Sequence, residues 1–329
     1  MLGADVWLSP WVLGLFGLLV GSFLNVVIYR LPVMMERQWW GDVAGHLGDS
    51  ASYRRVFGAD APPAAADISG ALERSLAGLP RLGLAQPPSR CGACGHQIRW
   101  FENIPVLSWL VLRARCSACG TPIAARYPLI ELTTGLLFAA VAWRFGAVLP
   151  TTLLWCGFVA VLIALSAIDW DTTVLPDAMT MPLLWAGLLA ATLGWLPGLA
   201  AVDSVIGAAV GYLSLWSVYW LFKLATGTGS PHAPWTAEHW AARAASGKEG
   251  MGYGDFKLLA ALGAWLGWQA ILPIVLFASA VGAVVGIGMK MTSSLREGRF
   301  VPFGPFLAGG GLIVMLIGVP RVMGWLGWS

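Results

Sequence analysis

Two strings place carboxylates at the mouths of long apolar runs. DWDTTVLPD, at 169–177, carries Asp169, Asp171 and Asp177, and GMGYGDFK, at 250–257, carries Asp255 behind Gly252 and Gly254. The second string is followed by 32 uncharged residues, 258–289. A carboxylate beside a lipid-like environment is costly unless it is paired or neutralised. If two such acids meet, one keeps its proton while its partner stays ionised. Such a pair can hold a water, take its proton and protonate the departing amine of a peptide bond, one acid and one base exchanging roles. Gly252 and Gly254 remove side chains beside Asp255, so that another backbone can approach. A plainer reading makes Asp255 a helix N-terminal acid that complements the macrodipole, and the other three acids members of a hydrated turn.

A second constellation is CGAC at 91–94 with CSAC at 116–119, 21 residues between the pairs. Four cysteines in this arrangement match a four-thiolate zinc knuckle, with Cys91, Cys94, Cys116 and Cys119 as ligands. Tetrahedral closure would staple a small segment that lacks a core of its own. The other reading is a pair of redox CxxC motifs or simply buried cysteines. His96 reads as a bystander, and Cys156, in mid-run, as packing.

The elements that must position these residues are apolar helices. The chain is 57% hydrophobic and 11% charged, against about 25% charge in an ordinary soluble domain. Its mean hydropathy is +0.71. The 19 Trp and 41 Gly suit interfacial anchoring and close helix contacts. No basic patch interleaved with aromatics points to nucleic acid. Uncharged runs long enough to cross a bilayer cover 8–29, 145–168, 178–202, 204–222 and 300–320, and 127–143 is interrupted only by Glu131. The run 258–289 exceeds one span, and Gly267-Trp268-Gln269 and Pro273 suggest a break within it. The expectation is an all-α polytopic membrane protein of about eight transmembrane helices, with a cytoplasmic four-cysteine zinc domain.

Eighteen of the 20 Lys and Arg fall in 30–126, 223–257 and 290–299, with only Arg144 and Arg321 elsewhere. With eight spans these three segments share one side, which the positive-inside rule makes cytoplasmic. The start, MLGADVWLSP, has no basic region typical of a cleaved signal peptide and is expected to face outward. Asp169 and Asp255 then lie at the same cytoplasmic face and at similar depth. Within 31–126, the Ala-, Gly-, Pro- and Arg-rich first part reads as a flexible insertion or a peripheral helical piece. A second insertion, 226–250, holds His232 and His239, which read as solvated loop residues. No internal repeat stands out.

In order along the chain, GSFLNVVIYRLP at 21–32, the two CxxC pairs, ENIPVLSWL at 102–110, RYPLIELTTGLLF at 126–138, DWDTTVLPDAMTMPLLW at 169–185, GYGDFKLLAALGAWLG at 252–267 and PFGPFLAGGG at 302–311 resemble the type IV prepilin leader peptidases, membrane aspartic peptidases of the GxGD class. The resemblance reaches nearly the whole chain. It implies a bacterial inner-membrane enzyme that cuts the basic leader from prepilins and type II secretion pseudopilins. The new N-terminus is then N-methylated from S-adenosylmethionine. By position, Asp169 and Asp255 inherit the catalytic roles, and Cys91, Cys94, Cys116 and Cys119 the zinc site. The implied division is a first transmembrane helix at 1–30, a cytoplasmic domain with insertion and zinc knuckle at 31–126, and a seven-helix peptidase core at 127–329.

The matched strings also hold Asn25, Arg30 and Glu131. Glu131, an acid inside a span, suggests a function as readily as a helix–helix hydrogen bond. Asp171, Asp177 and Glu102 are candidates to receive a basic leader. Two departures stand out: a long insertion at 35–88, and Ala114 where many members carry Gly two residues before the third cysteine. No Gly-rich nucleotide fingerprint marks a methyl-donor site. Three other readings remain: a peptidase without methyl transfer, a proton-coupled transporter using the same acids, and a zinc-anchored assembly platform for pili or secretion.

Overall fold

A computed structural model of the chain describes residues 4–146, 148–226, 252–291 and 301–328. His232 and His239 lie outside them. Among the described residues the regular structure is helical, apart from two isolated β-bridges. In chain order the helices are α1 (Ala4–Trp7), α2 (Pro10–Gly48), α3 (Ser50–Phe57), α4 (Pro63–Ala77), α5 (Leu107–Val111), α6 (Arg126–Phe145), α7 (Leu149–Thr172), α8 (Asp177–Thr192), α9 (Ala201–Thr226), α10 (Tyr253–Leu266), α11 (Ile271–Met291), α12 (Gly304–Ile317) and α13 (Val319–Trp325).

Among the described residues, five helical stretches are long and apolar enough to cross a membrane: Pro10–Gly48, Arg126–Phe145, Leu149–Thr172, Ala201–Ala225 and Trp268–Met291. A sixth arises if α12 and α13, bent by 101° at Gly318, form one broken span. The expected fourth and sixth spans appear as α8, of 16 residues, and α10, of 14. At 1.5 Å per residue these reach about 24 Å and about 21 Å, less than a hydrocarbon core of about 30 Å. The break inside 258–289 falls at Gly267, whose φ of 82° ends α10. Pro273 lies within α11 instead, near its start, where its missing N–H costs little.

Two boundaries differ from the sequence reading. First, α2 runs 39 residues, passing through Pro32 as far as Gly48. Its extension is stabilised by α4: the Ser69 hydroxyl donates to the Ala44 carbonyl at 2.8 Å, and Ala44 is fully buried. The early part of the insertion is therefore helical and packed. Second, α7 continues to Thr172, so Asp169 and Asp171 belong to its last turn rather than to a loop. Thr172 Oγ1 donates to the Ile168 carbonyl, and the left-handed Thr173 donates its N–H to the Asp169 carbonyl, which closes that turn.

The chain divides into two compact units, residues 1–20 with 132–329, and Gly21–Glu131. The first unit has one continuous apolar core. Phe158, Leu162 and Leu165 of α7, Phe256, Leu258, Leu259 and Leu262 of α10, Ile274 of α11 and Leu307 of α12 are among its fully buried side chains.

Candidate active site

The site in the first unit is built around α10. Against α9, Gly207 and Gly263 approach so closely that a Cβ on either would strike the other's carbonyl. Ser204 Oγ adds a 2.6 Å bond to the Ala264 carbonyl. Against α8, Trp265 Nε1 donates to the Leu183 carbonyl at 2.8 Å, its ring lying over Gly187. These contacts fix the far end of α10. Its first turn carries Asp255, whose N–H donates to the Gly252 carbonyl at 3.2 Å.

Asp169 and Asp255 are both buried, with relative exposures of 5% and 6%. Both stand beside Leu175, which packs against Gly304, the donor to Asp169, and against Gly254, the residue before Asp255. Their surroundings differ. Asp169 Oδ2 accepts the N–H of Gly304 at 3.1 Å, at the start of α12, where the positive end of a helix favours an anion. Asp255 Oδ1 is buried and has no hydrogen-bond partner among the described residues.

Leu175, in the α7–α8 connection, packs between the two sides of this arrangement. A Cβ on Gly254 would sit 2.7 Å from Leu175 Cβ. One on Gly304 would sit 2.5 Å from Asp169 Oδ2 and 3.2 Å from Leu175 Cδ1. Glycine at both positions is thus what allows α10, α12 and the connection to converge on the acids. Asp177 opens α8 and is held by Lys257 Nζ, at 2.7 Å from Oδ1 and 2.6 Å from Oδ2. Asp171 is exposed.

In the second unit, the Sγ atoms of Cys91, Cys94, Cys116 and Cys119 all lie within 4.8 Å of one another, and Cys91 and Cys119 approach to 3.8 Å. A tetrahedral zinc with Zn–S bonds of about 2.3 Å sets its sulfurs about 3.8 Å apart, so the quartet fits one ion. The two halves are built alike. In each, a CxxC turn is closed by a left-handed glycine, Gly95 or Gly120, that donates back to the first cysteine's carbonyl. In each, the first cysteine's own N–H donates five residues on, to His96 or Thr121. RCGACG and RCSACG, at 90–95 and 115–120, carry that repeat in the sequence, where its six-residue length concealed it.

Glu102 joins the halves. Its carboxylate accepts from Ser117 Oγ, from the Arg99 N–H and from His96 Nε2, the last at 3.1 Å. The Ser117 hydroxyl, then the Arg99 amide, then His96 draw its pKa down to about 2. Glu102 is therefore occupied inside the knuckle, and His96 stands outside the quartet.

Residues 15–145 match the bacterial Peptidase A24 N-terminal domain, and residues 156–287 match the type IV leader peptidase family. Curated proteins named prepilin leader peptidase/N-methyltransferase match nearly end to end. That of Aeromonas hydrophila is 46% identical over 321 residues, covering 95% of this chain and 92% of the relative. That of Pseudomonas putida is 45% identical over 309 residues, covering 92% and 88%. The Pseudomonas aeruginosa PAO1 protein is 44% identical over 313 residues, covering 92% and 89%. The chain belongs to the type IV leader peptidase family. No solved structure matches it.

Both buried acids fall within the leader peptidase segment, and the four cysteines within the N-terminal one. Gly304 lies beyond both matches. Its role was hidden in the sequence because a hydrogen bond spanning 135 residues leaves no local pattern. Ala114 adopts φ 59°, in the left-handed region that suits glycine. The backbone thus keeps here the conformation that a glycine would take, at some strain. Glu131 Oε2 accepts the N–H of Val106 at 2.7 Å, and Asn25 Nδ2 donates to the Tyr127 carbonyl. The Arg30 guanidinium, buried, donates to the Gly83 and Pro87 carbonyls and ties the segment before the first knuckle to α2.

Proposed function

We propose that Asp169 and Asp255 are the carboxylate pair with which this enzyme, a prepilin leader peptidase and N-methyltransferase, cuts its substrates. The observation that carries the reading is the convergence of two buried acids, one fed by a helix N-terminal N–H and the other with a partnerless oxygen. In this mechanism a water between the acids gives its proton to one carboxylate while its oxygen attacks the scissile carbonyl carbon. The protonated acid donates to the carbonyl oxygen, and the resulting tetrahedral adduct collapses as the C–N bond breaks. The leaving nitrogen takes the proton acquired from water. Asp255 Oδ1 is the atom suited to carry the initial proton, because Asp169 Oδ2 is already engaged by Gly304.

The substrates are prepilins and type II pseudopilins, whose basic leaders meet the enzyme at the cytoplasmic membrane face. Asp171, exposed at the cytoplasmic end of α7, is a candidate to meet a basic leader. Counting α8 and α10 as short spans, the bundle has eight, with the N-terminus outside and the basic segments cytoplasmic. The working division is 1–30, 31–126 and 127–329, the last being the peptidase core. Cys91, Cys94, Cys116 and Cys119 would hold Zn2+. Thiolates filling all four positions would leave the ion a structural staple with no open site. S-adenosylmethionine is the methyl donor this reading implies. The described residues contain no strand–Gly-turn–helix to cradle it, so no residue is assigned to it.

The test uses purified enzyme in lipid, a prepilin and S-adenosylmethionine, scored by mass for leader loss and for the added methyl. Asp169→Asn and Asp255→Asn should each fold and lose at least about a thousandfold in cleavage, the scale typical of removing a member of a catalytic unit. Near-wild-type cleavage by either would remove that residue from the pair.

A further inference from the structure

Lys257 and Asp177 form an ion pair beside the site, yet neither belongs to the pair of acids. Asp177 begins α8 and offers both carboxylate oxygens to Lys257. Lys257 follows Asp255 by two residues, which at 3.6 residues per turn rotates its side chain by about 200° away from that acid. Lys257 is therefore badly placed to neutralise Asp255 and well placed to reach α8. Between the two anchored ends runs the short connection 173–176. It leaves α7 at the left-handed Thr173, bonded to the Asp169 carbonyl, and enters α8 at Pro176, whose carbonyl accepts from Met179 and Thr180. Leu175, in its middle, is the side chain wedged against Gly254 and Gly304.

We propose that the Asp177–Lys257 ion pair is a positioning latch: it ties the start of α8 to the first turn of α10, holds Leu175 between Gly254 and Gly304, and thereby sets the separation of Asp169 and Asp255. The proposal rests on the reading of those two acids as the cleaving pair. An exposed ion pair adds little to global stability. Its expected effect is on the geometry of the site, where a displacement of about 1 Å can cost a hundredfold in rate.

The experiment measures kcat and KM for leader cleavage in Lys257→Met, Lys257→Arg, Asp177→Asn and the exchange Asp177→Lys/Lys257→Asp. Methyl transfer to a pre-cleaved pilin is followed alongside as a control for folding. Lys257→Met and Asp177→Asn should each lower kcat about tenfold or more, with KM within about threefold of wild type. Lys257→Arg should stay near wild type, and the exchange should recover most of the lost kcat. Methyl transfer should be unchanged throughout. Wild-type kcat in both single variants overturns the latch. So does an exchange no better than its parents, or a loss that appears in KM alone. A parallel fall in methyl transfer would also overturn it, by showing a general folding defect. Cleavage by Asp169→Asn, by contrast, would overturn the catalytic pair itself, so the two failures are distinguishable.

Discussion

The thiolate knuckle and the acid site solve the same problem, holding reactive side chains in place, by opposite routes. The knuckle is assembled locally. Each half closes its own turn through a left-handed glycine, and Glu102 bridges the halves from the short segment between them. The acid site is assembled at long range, by helix approaches that depend on missing side chains at Gly254 and Gly304. A local device should fail when its ligand or bridge is removed, and a convergent one when a methyl group intrudes.

The largest expected effect is on the knuckle. Replacing Cys116 and Cys119 together by Ser should abolish metal binding, read by elemental analysis. It should also make the segment around 91–122 protease-sensitive, because a structural zinc contributes about 10–16 kcal/mol to such folds. Intrusion at the acid site comes next. Gly304→Ala places a Cβ against the Asp169 carboxylate and should lower leader cleavage at least about a hundredfold, with helical circular dichroism intact. An unaltered rate would show that the Gly304–Asp169 contact has no part in the reaction.

A subtler break separates the bridge from the ligands. Glu102→Gln should weaken metal affinity about ten- to a hundredfold in chelator competition, the scale for outer-shell partners. Because the Glu102 pKa is drawn from 4.5 down to about 2, the folded knuckle binds fewer protons there than the unfolded one. Its stabilising contribution is complete above about pH 4.5 and is lost as pH falls through about 2. The difference between wild type and Glu102→Gln in resistance to unfolding should therefore shrink across that window. A constant difference would mean that the carboxylate charge is not what bridges the halves. The smallest effect is at Ala114, held at φ 59°: Ala114→Gly should stabilise the knuckle by about 1 kcal/mol, seen as a higher midpoint in chelator-induced unfolding.

The sequence alone disclosed the helical membrane character, the four-cysteine spacing, the acids standing at apolar entrances and the family resemblance. All of these depend on composition or short-range pattern. Apolar length reports spans, and CxxC spacing reports a closed turn, because each is a property of neighbours along the chain. The same logic exposed the break at Gly267 but not the ends of α2 and α7, where packing by Ser69 and closure of the last turn by Thr173 overrode the local signals at Pro32 and Asp169. Only the tertiary structure decided that Gly304 feeds Asp169, that Leu175 fills the space between two glycines, that Asp177 serves Lys257, and that Glu102 serves the knuckle. Those pairings join residues whose separation along the chain carries no period. Close packing, rather than propensity, selects which of many possible partners can touch.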